Sequence, residues 1–175
     1  MLTALEEGVK GGRWYTLMDK VAALPTLRAA FARVQANRGA AGVDHVTVAM
    51  FAQRLDARLA TLATALQTGT YRPQAIRRHW IPKPGTPERR PLGIPTVRDR
   101  VVQTALRLVL EPIFERDFAA HSYGFRPRRG AKDALRRVTA LLRAGYVHVV
   151  DADLQAYFGA PGQAGRFQRV QFPPR

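Results

Sequence analysis

The sequence predicts an α+β fold, on the basis of three observations. Apolar residues recur at intervals of three and four in four separate stretches, which is the period of a helix packed along one side. Between the second and third stretches lies a basic segment rich in proline and glycine, of the kind that forms short strands around a turn. After the fourth stretch comes Tyr146 to Val150, a β-branched apolar run typical of a buried strand.

Two helices are predicted in the N-terminal part of the chain. The apolar spacing predicts the first over about 24–37. Asn37 and the two glycines that follow it predict a loop up to Asp44. From Phe51 the spacing predicts a second amphipathic helix of about 20 residues, which Gly69 would end.

The next segment predicts a basic hairpin. Its strands would cover 75–81 and 90–95, with Ile76 and Trp80 on one face of the first. Three prolines and a glycine between the strands force a turn. Because a proline also lies inside the second strand, that strand is expected at the edge of a sheet.

Two further helices and a strand complete the predicted elements. Thr96 and Asp99 have capping-box spacing at the start of the third helix, which is predicted to end within 111–118. The fourth helix is predicted over 131–145, closed by its last residue, a glycine. The residues after Phe158 show neither the apolar period of a helix nor that of a strand, and they include no acidic side chain. This pattern predicts an unfolded tail.

Charge and composition restrict the function. The chain of 175 residues has 28 basic and 13 acidic side chains, a net charge of +15, which indicates a polyanionic partner, most simply nucleic acid. An anionic membrane surface is the competing partner. Most of the excess lies in 71–100 and 121–145. Arginine outnumbers lysine by 24 to 4, which suits phosphate contacts but would also follow from a GC-rich genome.

Other classes of protein are excluded by what the sequence lacks. It contains no cysteine, so disulfides, thiolate metal sites and cysteine catalysis are excluded, and a cytoplasmic location is expected. No apolar run is long enough for a membrane span, and the first residues do not resemble a secretory signal. We therefore expect no membrane partner other than the anionic surface named above as the competitor.

A pair of carboxylates is the first candidate site. Asp151 and Asp153 follow the predicted buried strand and would share one of its faces. Carboxylates in this position suit Mg²⁺ in nucleotidyl transfer. The alternative is a solvated turn at the end of a strand.

Two basic segments are the other candidates. Lys83 and Arg90 lie across the predicted turn and could both reach one triphosphate, or the turn could contact nothing. The segment Ser122-Tyr-Gly-Phe-Arg-Pro-Arg-Arg129 combines aromatic rings with arginines, which suits stacking on and clamping nucleic acid. The alternative is a loop whose Tyr123 and Phe125 anchor it to the core.

The order of short motifs along the chain closely resembles group II intron-encoded reverse transcriptases (maturases). The resemblance covers roughly residues 13–158 and rests on eight motifs in order. They are Arg38-Gly-Ala-Ala-Gly-Val-Asp44, Gly69-Thr-Tyr-Arg-Pro73, Ile81-Pro-Lys83, Arg90-Pro-Leu-Gly-Ile-Pro95, Arg98-Asp-Arg-Val-Val-Gln103, Leu110-Glu-Pro-Ile-Phe-Glu115, Ser122-Tyr-Gly-Phe-Arg-Pro127 and Val150-Asp-Ala-Asp153.

The resemblance implies a right-hand polymerase in which this chain holds only part of the fold. An N-terminal helical extension would occupy 1–70 and the fingers 71–145. The first strand of the palm would occupy 146–158, followed by a disordered tail over 159–175. The implied partners are intron or template RNA, primer DNA and an incoming dNTP.

Specific roles also follow from the resemblance. Asp153 would be the first catalytic carboxylate and would bind Mg²⁺ with the carbonyl of Leu154. Phe158 would pack under the sugar of the nucleotide, whose triphosphate Lys83 and Arg90 would hold. The side chains expected along template and primer are Gln103, Arg126, Arg128 and Arg129.

The sequence departs from the family after Phe158, where Gly159-Ala-Pro-Gly replaces the usual Asp-Asn-Ile. The Tyr-Ala-Asp-Asp motif is absent, and His45 stands where glycine is usual. The abrupt change resembles a frameshift or a truncated gene copy. Because a two-metal site needs ligands from more than one element, no polymerase activity is expected from this chain alone. The alternatives are a non-catalytic RNA-binding protein and a pseudogene remnant without function.

Overall fold

The computed structural model describes residues 17–150 and Ala152. The described residues form six helices and one two-stranded sheet, so the predicted combination of helices and strands is confirmed. They divide into two compact units, the first ending at Ala120 and the second beginning at His121. Within the described part of the chain, no helix is both long and apolar enough to cross a membrane.

The first unit begins with two consecutive helices, α1 (Met18–Ala22) and α2 (Leu24–Ala36). Proline in the first turn of α2 suits a helix start, where a backbone N–H has no partner to lose. Leu27, Phe31 and Val34 lie on its buried face. Burial of each large apolar side chain stabilises the fold by about 1.5–3 kcal/mol. The helix predicted over 24–37 is confirmed.

The single helix predicted from Phe51 is wrong, because the chain forms two. They are α3 (Val48–Ala52) and α4 (Leu55–Gln67), separated by Gln53 and Arg54. Arg54 has φ −127° and ψ 41°, which is not helical. The break lets the Phe51 ring stack on Phe31 of α2, with centroids 5.5 Å apart. Apolar spacing continues across the break and so did not reveal it.

The sheet is an antiparallel hairpin of β1 (Arg77–Pro82) and β2 (Arg89–Ile94), close to the predicted strands. Its register runs from Arg77 opposite Ile94 to Pro82 opposite Arg89. Since the sheet has two strands, Pro91 lies on an edge strand, as predicted.

The longest helix, α5 (Val97–Asp117), completes the core of the first unit. Its end lies within the predicted range, and the helix continues through Pro112. Val97, Val101 and Ala105 are fully buried in one cluster with Leu27 of α2 and Leu59 of α4. This single core therefore joins residues before the hairpin to residues after it.

The second unit contains α6 (Ala131–Arg143), the predicted fourth helix. The Gly130 amide donates to the Asp133 carboxylate at 3.0 Å at its start, and Gly145 with φ 91° follows its end. The apolar stripe of α6 is exposed to solvent, with Leu135 65% exposed. No residue of α6 is buried.

The buried strand predicted over 146–150 is wrong. These residues do not form a strand, and Tyr146, Val147, Val149 and Val150 are exposed. A strand requires a neighbour for its backbone hydrogen bonds, and the described strands β1 and β2 pair only with each other. The rest of the predicted palm strand and the predicted tail lie outside the described residues, apart from Ala152.

Candidate nucleic-acid interface

A buried carboxylate holds together the two ends of the hairpin. Asp99, 2% exposed, lies in the first turn of α5, just after β2. One of its oxygens accepts from the Tyr71 hydroxyl at 2.7 Å. The other accepts from the Gln74 amide at 3.0 Å and the Thr96 hydroxyl at 2.8 Å. The chain before β1 is therefore tied to the chain after β2.

This cluster perturbs the tyrosine. Burial and the hydrogen bond to Asp99 both raise the pKa of Tyr71 well above its usual range. The Arg98 guanidinium, 5.0 Å from the centre of the Tyr71 ring, opposes that rise in pKa. The capping-box spacing identified Thr96 and Asp99, and the Asp99 amide does donate to the Thr96 hydroxyl at 3.2 Å. The capping-box spacing did not predict the contacts of Asp99 with Tyr71 and Gln74, which lie 25 or more residues away along the chain.

The hairpin presents two faces, which the register defines. Paired residues share a face, and successive residues along a strand alternate. The Lys83 face carries Arg77, His79, Ile81, Lys83, Glu88, Arg90, Leu92 and Ile94. The Trp80 face carries Arg78, Trp80, Arg89, Pro91 and Gly93.

The register brings the predicted pair Lys83 and Arg90 to the same face. The Lys83 amide donates to the Glu88 carbonyl at 2.9 Å, which continues the pairing past the end of β1. The Lys83 ammonium also forms an ion pair with the Glu88 carboxylate at 2.6 Å. Both side chains are exposed, so this pair contributes at most about 1 kcal/mol. Arg90 is exposed and has no ion pair with any described residue.

The glycine-rich loop between α2 and α3 packs against the start of α5. The Arg100 guanidinium donates to the Ala40 carbonyl at 2.7 Å, and burial lowers the pKa of Arg100. A Cβ on Gly42 would lie 2.7 Å from the Thr96 Cα, so only glycine fits there. His45 lies at a position where the resembled family usually has glycine. Its φ of 56° is a left-handed conformation that favours glycine.

Gln103, predicted to lie along template or primer, is exposed on α5. Arg107 lies one turn further along the same face and forms an ion pair with Glu111 at 2.7 Å.

The three arginines predicted to contact RNA in the second unit have different surroundings. Arg126 is buried and donates to the Ser122 carbonyl at 3.0 Å, so it shapes the loop. Arg129 donates to the same carbonyl at 3.3 Å and lies 5.9 Å from the centre of the Tyr123 ring. Arg128 is exposed.

The alternative in which Phe125 anchors this loop to the core is wrong. Phe125 is fully exposed, and both Phe125 (φ 55°) and Arg128 (φ 58°) have left-handed backbone conformations. An exposed ring three residues from an exposed arginine in one loop suits stacking and phosphate contact.

A cavity that the sequence did not predict lies in the first unit. Its volume is about 400 Å³. Arg54, Arg58 and Arg98 line it, and the Arg58 guanidinium lies 5.1 Å from the centre of the Phe51 ring. Three cations against one lining carboxylate, Asp44, make it electropositive.

The predicted catalytic centre is not described. Asp151, Asp153, Leu154 and Phe158 all lie outside the described residues. Within the described part of the chain, no three acidic or histidine side chains are grouped so that they could hold a metal ion. The role of Mg²⁺ therefore stays a prediction from the sequence.

Comparison with known proteins reveals relatives of this chain, although no protein-family model matches it. Protein YkfC of Escherichia coli is 44% identical over 121 residues, covering 67% of this chain and 32% of YkfC. Group II intron-encoded protein LtrA of Lactococcus lactis is 37% identical over 111 residues, covering 62% of this chain and 18% of LtrA.

A third relative is a plant protein. Nuclear intron maturase 2, mitochondrial, of Arabidopsis thaliana is 44% identical over 57 residues, covering 33% of this chain and 8% of the maturase. This chain spans about a third of the length of YkfC and less than a fifth of that of LtrA. The chain is therefore a homologue of the group II intron-encoded proteins and intron maturases.

Proposed function

We propose that this chain serves RNA-directed DNA synthesis by binding RNA and the triphosphate of an incoming dNTP. The observation that carries the proposal is the register of the hairpin, which places Lys83 and Arg90 on one exposed face. Lysine would act there as a point charge and arginine as a planar fork, the two common ways of holding phosphate oxygens. The Asp99 cluster supports this role by holding both ends of the hairpin.

In this proposal, the ion pair between Lys83 and Glu88 opposes binding of the triphosphate. A triphosphate must compete with the Glu88 carboxylate for the Lys83 ammonium. Because the pair is exposed and weak, a ligand with several negative charges displaces it at small cost. Glu88→Gln should therefore tighten binding of a triphosphate.

The test is equilibrium binding of a fluorescent dNTP to the full chain and its variants. Arg90→Ala should weaken binding about ten- to a hundredfold, since it removes a charge-assisted hydrogen bond of about 1.5–3 kcal/mol. Arg89→Ala is the matched control, because it removes the same charge from the neighbouring residue on the opposite face. Equal losses in both variants would show attraction by net charge alone and would overturn the proposed site.

A second candidate function is RNA binding without synthesis. The observation that favours it is the loop of the second unit, where Phe125 and Arg128 are exposed. Arg128→Ala should weaken binding of a structured RNA more than Arg137→Ala, an exposed arginine on α6. Equal affinities for the two variants would remove the loop from the interface.

Binding of a dNTP separates the two candidates, and primer extension by purified protein on an RNA template tests whether the chain is non-catalytic. We expect RNA binding without extension from this chain alone. Extension that is lost in Asp153→Asn would overturn the non-catalytic candidate. Absence of RNA binding in the same preparation, with the helical signal intact, would overturn both.

A further inference from the structure

We propose that the Trp80 face of the hairpin is a stacking surface for single-stranded nucleic acid, separate from the Lys83 face. The inference rests on the proposed function and extends it, since it places a second ligand on the side of the same sheet that faces away from the dNTP. One hairpin would then contact a nucleotide triphosphate with one face and an unpaired strand with the other.

The geometry of the sheet supports a separate surface. Trp80 pairs with Pro91 and is 50% exposed, so the indole is not part of the core. Gly93 on the same face has no side chain, and Ile76 occupies the space that its Cβ would fill. The result is a low apolar platform with the indole as its largest group.

The charges beside this platform indicate the ligand. Arg78 lies two residues from Trp80 on β1, and Arg89 lies two residues from Pro91 on β2. Side chains two residues apart on a strand share a face at a spacing of about 6.5–7 Å. Both arginines are exposed, and neither forms an ion pair with a described residue. The acidic residue of the hairpin, Glu88, lies on the opposite face.

An aromatic ring flanked by two cations matches an unpaired strand in particular. Each unpaired base offers a planar ring for the indole, and its phosphates offer charges for the guanidinium groups. A duplex hides the faces of its bases in stacks and offers base edges and phosphates instead. A protein partner would need an acidic apolar surface, whereas the indole and the two guanidinium groups together match a base and its phosphates.

The test uses the full chain with its other tryptophan replaced, Trp14→Phe, so that Trp80 is the single indole. An unstructured RNA of about 12 nucleotides, within the site size of single-strand binding domains, should quench the Trp80 fluorescence. The same sequence as a duplex should quench it far less. In the natural background, Trp80→Ala should weaken single-strand binding about tenfold, the loss of one base stack, whereas Trp80→Phe should keep most of the affinity.

Two adjacent pairs of arginines supply matched controls. Arg78→Ala with Arg89→Ala removes two charges from the Trp80 face, whereas Arg77→Ala with Arg90→Ala removes two charges from the other face. We expect the first double variant to lose single-strand binding and keep dNTP binding, and the second to do the reverse.

The outcomes separate this inference from the proposed function. If RNA binds by fluorescence anisotropy but Trp80 is not quenched and Trp80→Ala binds normally, the stacking surface is overturned and the proposed function stands. If no RNA binds to a chain with intact helical signal, both are overturned. Equal quenching by duplex and single strand would also overturn the stacking surface.

Discussion

At the scale of single residues, the first unit depends on a few polar contacts between distant parts of the chain. Asp99 accepts hydrogen bonds from residues before β1 and after β2. Because its carboxylate is buried, loss of any one of these bonds would lower the free energy of unfolding. Gly42 matters for the opposite reason, since the absence of a side chain lets its loop reach Thr96. Both residues act on how the hairpin and α5 are held.

Tyr71→Phe should lower the free energy of unfolding by about 1.5–3 kcal/mol, because the buried Asp99 carboxylate loses a charge-assisted hydrogen bond. The measurement is denaturant unfolding followed by circular dichroism. Tyr146→Phe, at an exposed tyrosine, is the control and should change stability by less than about 0.5 kcal/mol. Equal effects would show that the Tyr71 hydroxyl adds nothing.

The same contact should make stability depend on pH in the alkaline range. The folded chain raises the pKa of Tyr71, so folding favours the protonated hydroxyl. This contribution is fully present below about pH 10, the ordinary tyrosine pKa, and is lost as the pH rises above it. Unfolding midpoints should fall more steeply above that pH in the natural chain than in Tyr71→Phe. Parallel curves would contradict the assignment.

Gly42→Ala should destabilise the first unit by about 1–3 kcal/mol, the usual cost of overpacking. The added Cβ would lie 2.7 Å from the Thr96 Cα and 2.8 Å from its amide nitrogen, and backbone atoms cannot easily move aside. Gly124→Ala is the control, because its Cβ would meet nothing within 4 Å and its φ is not left-handed. Thermal melts of the two variants would show the difference, and equal melting temperatures would contradict it.

At the scale of elements, helices of similar sequence pattern have different surroundings. Both α4 and α6 have an apolar stripe at helical spacing, but the stripe of α4 is buried in the core and that of α6 is exposed. Residues of one element also form two different surfaces, as the alternating faces of the hairpin show.

Leucine-to-alanine substitutions should separate the two helices. Leu59→Ala in α4, at a residue 1% exposed, should lower the free energy of unfolding by about 2–5 kcal/mol. Leu135→Ala in α6 makes the same chemical change at an exposed residue and should cost less than about 0.5 kcal/mol. Urea titrations of both variants measure the difference. A comparable cost for Leu135→Ala would mean that the α6 stripe is covered in solution.

At the scale of the whole molecule, the net charge of +15 does not show which basic side chains can bind phosphate, because some of them are paired with carboxylates. Lys83, Arg107 and Arg136 are engaged by carboxylates. Arg78, Arg89 and Arg128 are exposed and form no ion pair with a described residue. Phosphate contacts should therefore come from a few arginines rather than from the net charge.

Single-stranded RNA binding should weaken with salt in proportion to those contacts. On the Trp80 face, Arg78 and Arg89 would each neutralise one phosphate, which gives a slope of about −1.4 in a plot of log affinity against log salt concentration. Replacing Arg89 by alanine should make the slope shallower by about 0.7. Anisotropy titrations over a range of KCl concentrations measure both values. A slope near zero would contradict phosphate binding.

The sequence by itself determined most elements and the ancestry of this protein. Helix α2, the hairpin, α5 and α6 follow from local spacing, proline and capping residues, which act over a few positions. The resemblance to group II intron-encoded proteins also followed from ordered motifs and is confirmed by relatives 37% and 44% identical. The roles of Asp153, Leu154 and Phe158 stay predictions, because these residues lie outside the described part of the chain.

Only the tertiary structure decided what depends on distant partners. The break at Arg54 accompanies the stacking of Phe51 on Phe31, and the run 146–150 stays unpaired because the described residues provide no third strand. The contacts of Asp99 and the ion pair of Lys83 likewise depend on how segments meet in space. Local spacing reports which side of an element is apolar, whereas pairing and burial are set by the groups that face it across the fold.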